Sequence, residues 1–122
     1  MNKIIATLLL LNVFSASGQE VSFSKDSILI NNTVCFRFLK TDSNFSVKSL
    51  EGKTLITWVV KNIAPGKFST NYTFLTVNKE FHNDKMNGRN ALIFALVQSD
   101  VISDCQLNED KLLKFIKKHN DQ

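Results

Sequence analysis

Two cysteines and two histidines are the residues of this chain best suited to chemistry, and their spacing limits what that chemistry can be. A Cys or Ser nucleophile needs a base and an orienting group within hydrogen-bond reach. His82 lies between Cys35 and Cys105 with no recognisable motif around it, and His119 follows Lys117-Lys118 near the end of the chain, where a solvated helix terminus explains it. No Gly-x-Ser-x-Gly turn is present. Zinc needs ligands in close pairs, such as Cys-x-x-Cys or two His one helical turn apart, whereas these four residues sit in four separate segments. Asn83-Asp84 and Asn87-Gly88 resemble part of a calcium loop but lack its alternating acids and closing Glu. Asp100 and Asp104 straddle the end of an expected helix, where capping and solvation account for them. The residue pattern names no catalytic group, no metal ligand and no cofactor.

The first residues speak to the compartment. Met1-Asn2-Lys3 is a short positive start, residues 4–14 are apolar apart from Thr7 and Asn12, and Ala16 and Gly18 occupy the −3 and −1 positions of a signal-peptidase site. An apolar run of 11 residues is too short for a bilayer-crossing helix, which needs roughly 20. Residues 1–18 therefore read as a cleaved signal peptide and residues 19–122 as a single secreted or periplasmic domain, 104 residues long once 18 of the 122 are removed. That cleavage removes Lys3 and no acid, lowering the formal charge from +4 to +3. The balance is too even for a nucleic-acid binder, which concentrates positive charge on one face. No later apolar run reaches membrane-spanning length, so no stable membrane insertion is expected after cleavage. An oxidising compartment permits a disulfide between Cys35 and Cys105.

The elements that position these groups are mostly strands. Residues 27–30 and 33–39 alternate around Asn31-Asn32, a pair that tolerates the positive φ of a type I′ turn. Asp42-Ser43 and Glu51-Gly52 supply the next two turns, and Ala64-Pro65-Gly66 the one after. Counting back from each turn pairs Leu29 with Val34, Ile28 with Cys35, Phe38 with Val47, Phe45 with Trp58, Val47 with Ile56 and Lys48 with Leu55. Phe36, Phe38, Phe45, Val47, Ile56 and Trp58 then share one face. On the following strand Phe68, Tyr72 and Phe74 share one parity and Leu75 and Val77 the other; alternation leaves the inward parity open, and the aromatic set is the favoured one. Residues 21–24 look like a frayed lead-in, and residues 80–88 like polar turn material.

The C-terminal part reads as two helices. Residues 91–97 are apolar without a break, and Ala and Leu content with Asn87 and Asn90 as caps favours a helix over residues 88–100. Asn108 is a good N-cap, with Glu109 and Asp110 in the first turn and Lys117, Lys118 and His119 in the last, signs that complement the helix dipole. Leu107 and Leu112 stand at the positions of a hydrophobic staple. The Lys face of this helix is explained by solubility. The expected fold is α+β: an antiparallel β-meander of about five strands followed by two C-terminal helices packed on one sheet face. In that register Cys35 lies across the sheet from Cys105, which argues against their bridging. Arg37, Leu55, Thr57 and Val59 mark an uncovered outward face suited to a protein partner or to self-association.

Three stretches resemble a group of small secreted proteins of unassigned function from flavobacteria and related Bacteroidetes. They are Lys25-Asp26-Ser27-Ile28-Leu29-Ile30-Asn31, Gly52-Lys53-Thr54-Leu55-Ile56 and the run from Leu107-Asn108-Glu109-Asp110 to Lys114-Phe115-Ile116. The resemblance implies export and carries no site residues. Three Asn-x-Ser/Thr triplets, at Asn31, Asn44 and Asn71, would take N-glycans only in a eukaryotic secretory route. The expected function is that of an exported, non-enzymatic binding or structural protein. Its alternative is a small extracytoplasmic hydrolase or enzyme inhibitor. A hydrolase requires a pocket joining His82 to Cys105 or Asp84, and an inhibitor requires a protruding loop such as residues 63–67.

Overall fold

Hairpins between neighbours in sequence build the sheet. The computed structural model describes residues 13–16, 19–42, 44–86 and 88–120. Strands β1 (Val13–Ala16), β2 (Gln19–Ser24), β3 (Ser27–Ile30), β4 (Thr33–Thr41), β5 (Asn44–Ser49), β6 (Thr54–Ala64), β7 (Lys67–Phe74) and β8 (Lys79–His82) lie side by side in chain order. All are antiparallel. Helix α1 (Gly88–Gln98), the short hairpin β9 (Ile102–Ser103) and β10 (Gln106–Leu107), and helix α2 (Glu109–His119) follow. The fold is α+β. From β2 to β8 the meander has seven strands rather than about five, because residues 19–24 and 79–82 pair as full members. Strand β1 lies within the stretch read as a signal peptide.

Turn chemistry sets most of the register. Asn31 and Asn32 adopt φ of 52° and 64°, and Leu29 pairs with Val34 as their spacing requires. Asn31 Oδ1 also accepts from the Glu20 backbone N–H at 2.9 Å, so this glycan-type Asn is occupied in joining β2 to the turn. Phe38 pairs with Val47, Val47 with Ile56 and Phe45 with Trp58. Gly52, at φ 95°, forms the β5–β6 turn, a conformation that strains other residues.

Two bulges then correct the expected faces. Ile28 pairs with Phe36 rather than Cys35, so Cys35 is an extra residue in β4. Lys48 pairs with Thr54 rather than Leu55, so Leu55 is an extra residue in β6. A bulge bends its strand and re-aims side chains that simple alternation would send to the opposite face. Cys35, Leu55 and Ile28 accordingly all belong to the buried cluster. The first bulge removes the objection to a bridge. Cys35 is disulfide-bonded to Cys105, with Cα atoms 4.9 Å apart across a separation of 70 residues. Cys105 sits with Asp104 in the β9–β10 turn, both at positive φ, 60° and 53°.

An aromatic row crosses the sheet. Ring centroids are 6.1 Å apart for Phe38–Phe45, 5.4 Å for Phe45–Trp58, 5.6 Å for Trp58–Tyr72 and 5.0 Å for Tyr72–Phe81. Such pairs contribute about 0.5–1.5 kcal/mol beyond their burial. Phe115 of α2 meets Phe81 edge-on at 5.9 Å. At the other end, the Arg89 guanidinium of α1 lies 4.6 Å over Phe23 and 4.9 Å over Phe38, and donates to the Lys25 carbonyl at 2.6 Å. Helix α1 touches β1 and β2, while α2 touches β8. Leu92, Ile93, Leu96 and Val97 of α1 and Leu112, Phe115 and Ile116 of α2 share one buried cluster with the aromatic row. Asn108 caps α2 as its sequence position implies, accepting from the Lys111 N–H at 3.0 Å. Helix α1 ends at Gln98 and places Asn90 inside its first turn; Asn87 lies outside the described residues.

Removing the bridge tests the bulge, since a closed loop of this length contributes on the order of 4 kcal/mol. A Cys35→Ala/Cys105→Ala variant is expected to lose that much in urea unfolding, and added dithiol to destabilise the native protein alike. An unchanged midpoint would exclude the bond. Tyr72 provides a second test, being the one Tyr in the chain and fully buried. Its hydroxyl donates to the Met86 carbonyl, and burial pushes its pKa from 10.0 up to about 12. The fold favours the protonated phenol, so this contribution is whole below pH 10.0 and is lost as pH rises toward about 12. Ultraviolet titration should give a native midpoint near the higher value and an unfolded midpoint near the lower.

Candidate functional site

The outward sheet face retains three of the four residues expected on it. Arg37 is exposed and donates through Nη1 to Ser27 Oγ at 3.2 Å. Thr57 and Val59 are half-buried on β6, where Thr57 pairs with Ser46 and Thr73, and Val59 with Asn44 and Asn71. Leu55 has left this face for the interior through its bulge. Leu39, which pairs with Ser46 on the same face, is exposed there beside them.

The more distinctive surface is the end of the β6–β7 hairpin. Strand β6 has 11 residues and β5 has 6, and the β5 ladder ends where Asn44 meets Val59. On the other side the β8 ladder ends where His82 meets Asn71. Pairing nevertheless continues between β6 and β7 through Lys61–Ser69, Asn62–Phe68 and Ala64–Lys67. A two-stranded finger therefore runs past both neighbouring ladders, closed by Pro65-Gly66 with Gly66 at φ 75°. Ile63, a third bulged residue, is 61% exposed, and Phe68 is 52% exposed. Phe68 keeps the parity of Tyr72 and Phe74 but lies beyond the buried cluster, so the expectation that it joins the core is corrected. Sequence alternation shows parity and does not show where the neighbouring strand stops.

At the base of the finger the structure brings together Ser69, Asn71, His82 and Asp84. His82 Nε2 lies 2.9 Å from Asp84 Oδ1, and Nδ1 lies 3.0 Å from Asn71 Oδ1. The residue types are those of a hydrolase triad, but the arrangement is not. Ser69 Oγ is 3.3 Å from Nδ1 and 3.4 Å from Nε2, almost equidistant, whereas a nucleophile must align with the lone pair of one nitrogen. Both ring nitrogens already face other oxygens. The His82 and Asp84 side chains are 34% and 44% exposed, at the end of the edge strand and in the bend that follows it. Cys105 is engaged in the disulfide, so a Cys–His pair with His82 is not formed. The His82 backbone N–H donates to Asn120 Oδ1 at 2.9 Å and Asn83 Nδ2 to the His119 carbonyl at 2.7 Å, so these residues anchor the end of α2 to the sheet edge.

No family model, characterised protein or solved structure matches this chain. Its own geometry carries the functional reading. Among the described residues, no group of three or more His, Cys, Asp or Glu gathers to hold a metal, and no helix is long and apolar enough to cross a membrane. The Lys face of α2 borders a groove of about 600 Å³ containing Lys111, Lys114, Lys118 and His119. Burial, and then the Lys118 charge, lower the His119 pKa. Asp100 lines the same groove and offsets part of this charge.

The Ser69–His82 geometry predicts chemical silence. Incubation with a fluorophosphonate should leave the intact mass unchanged, and Ser69→Ala should alter stability by no more than about 0.5 kcal/mol. Stoichiometric labelling lost in the Ala variant would establish a nucleophile.

Proposed function

We propose that the protein is an exported, non-enzymatic binding protein of the periplasm or extracellular space, and that it engages a protein partner through the β6–β7 finger. The observation that carries this reading is the finger itself: a paired hairpin running past both adjoining ladders, with Ile63 and Phe68 exposed beside Lys61 and Lys67. A soluble domain that hides Trp58 and Tyr72 completely has no folding reason to present two large apolar side chains on a projecting tip. In this reading both helices cover the aromatic face, and Arg37, Thr57 and Val59 form a polar shoulder behind the finger. Export is supported by the pattern of residues 1–18 and by the cysteine pair. Kinship with the small secreted proteins of flavobacteria rests on the three stretches that resemble them.

A pre-paired hairpin also suits insertion into the cleft of an enzyme, since little order is lost on docking. That favours the inhibitor form of the alternative over the hydrolase form, which lacks an aligned nucleophile.

The exported protein should begin at Gln19 when its N-terminus is sequenced. In the same preparation, Ile63→Ser/Phe68→Ser should keep its stability within about 0.5 kcal/mol per site while losing a partner that the native protein and a Thr57→Ala control retain from envelope extract. Equal recovery by all three proteins would remove the finger from consideration.

A further inference from the structure

Two of the three bulges described above meet at the end of β6 opposite the finger. The bulge at Cys35, the bulge at Leu55 and the positive-φ turn at Asp104-Cys105 all border a cleft of about 570 Å³ between the β5–β6 turn and the β9–β10 hairpin. Its apolar lining is the Cys35–Cys105 disulfide with Leu50, Leu55 and Leu107. Each bulge turns an apolar residue toward this lining that strand alternation would have sent outward.

The wall and rim show the polarity of an occupant. Thr76 lines the cleft, and its Oγ1 exposes less than 1 Å² with no hydrogen-bond partner among the described residues. A buried hydroxyl left unpaired is unusual and unfavourable. Around the rim stand Glu51, Asp104 and Glu109 against Lys53 alone, an acidic balance in a chain of formal charge +4. Glu109 lies in the first turn of α2, where the helix dipole offsets part of its charge. Glu51 and Asp104, on two facing turns, are free of that offset.

We propose that this cleft binds an organic cation on an apolar stem, the stem lying against the disulfide, Leu55 and Leu107 and the ammonium or guanidinium head meeting Glu51 and Asp104. The source is either a free alkylamine or a Lys or Arg side chain of a peptide. This site is separate from the finger and depends on neither Ile63 nor Phe68.

The test is an amide-resolved NMR titration of the oxidised protein with n-hexylammonium, with hexanoate as the charge-reversed control. Shifts are expected at Leu55, Thr76, Cys105 and Leu107 with the amine, at an affinity at least fivefold above that for hexanoate. Glu51→Gln/Asp104→Asn should weaken amine binding by roughly fivefold. Asn tolerates positive φ, so the second change leaves the turn intact. Thr76→Val should bind the amine more weakly while melting no lower than the native protein. Tighter binding of acetyl-Gly-Lys-Gly-amide than of the amine identifies a peptide side chain as the source, and the reverse order a free amine. Equal shifts with hexanoate, shifts outside the cleft, or full affinity in the doubly neutralised variant would overturn the proposal.

Discussion

The aromatic row Phe38–Phe45–Trp58–Tyr72–Phe81 is the constraint on which the rest of the molecule depends. Each strand from β4 to β8 contributes one ring. A slip of one residue in any of the intervening hairpins would send that ring to the opposite face and break the row. Both helices are tied to it: α2 through Phe115 against Phe81, and α1 through Arg89 over Phe38. The row thus links strand register to helix position, and neither can shift without loss of the other.

Outside the row, the fold is a chain of local decisions. Every strand in the sheet pairs with the strand next to it in sequence, so the ladder alone contains no long-range instruction. Long-range order enters at a few points. They include the disulfide, the Gln19 side chain donating to the Ile102 carbonyl at 3.1 Å, Arg89 donating to the Lys25 carbonyl, and the Asn83 and Asn120 bonds between the sheet edge and the end of α2. These tie β2, β4 and the β8 edge of the sheet to the C-terminal segment, and none of them reaches the end of the finger.

The legible features of the sequence were those with a local cause. Asn31-Asn32 and Glu51-Gly52 carry the backbone freedom their turns need, and the pairs nearest each turn follow from them. Asn108, Glu109 and Lys118 announce α2 by charge and capping. Bulges left no such mark, because an inserted Cys or Leu in an apolar strand looks like one more residue of the alternation. That single ambiguity misplaced Ile28, Cys35 and Leu55. Strand β8 escaped notice because only Phe81 among its four residues is apolar and inward, too short a signal for a period of two. The β9–β10 turn was hidden for a different reason. Asp104-Cys105 occupies a position where Asp-Gly would be the usual pair, and Cys stands there because the bridge requires it. His82, Asp84 and Ser69 are juxtaposed by strand pairing alone, which no spacing rule could have foretold.

The 70-residue reach of the disulfide has a consequence in time. A chain synthesised from its N-terminus presents Cys35 long before Cys105. Cys35 spends that interval as a lone thiol, open to a mixed disulfide with an oxidising carrier. The intramolecular bond can close only after the sheet strands and α1 have emerged, so oxidation comes near the end of assembly. Under reducing conditions the bond does not form, and the chain remains looser. The cysteine pair thereby works as a clock, coupling full stability to the completion of the chain and to the redox state around it.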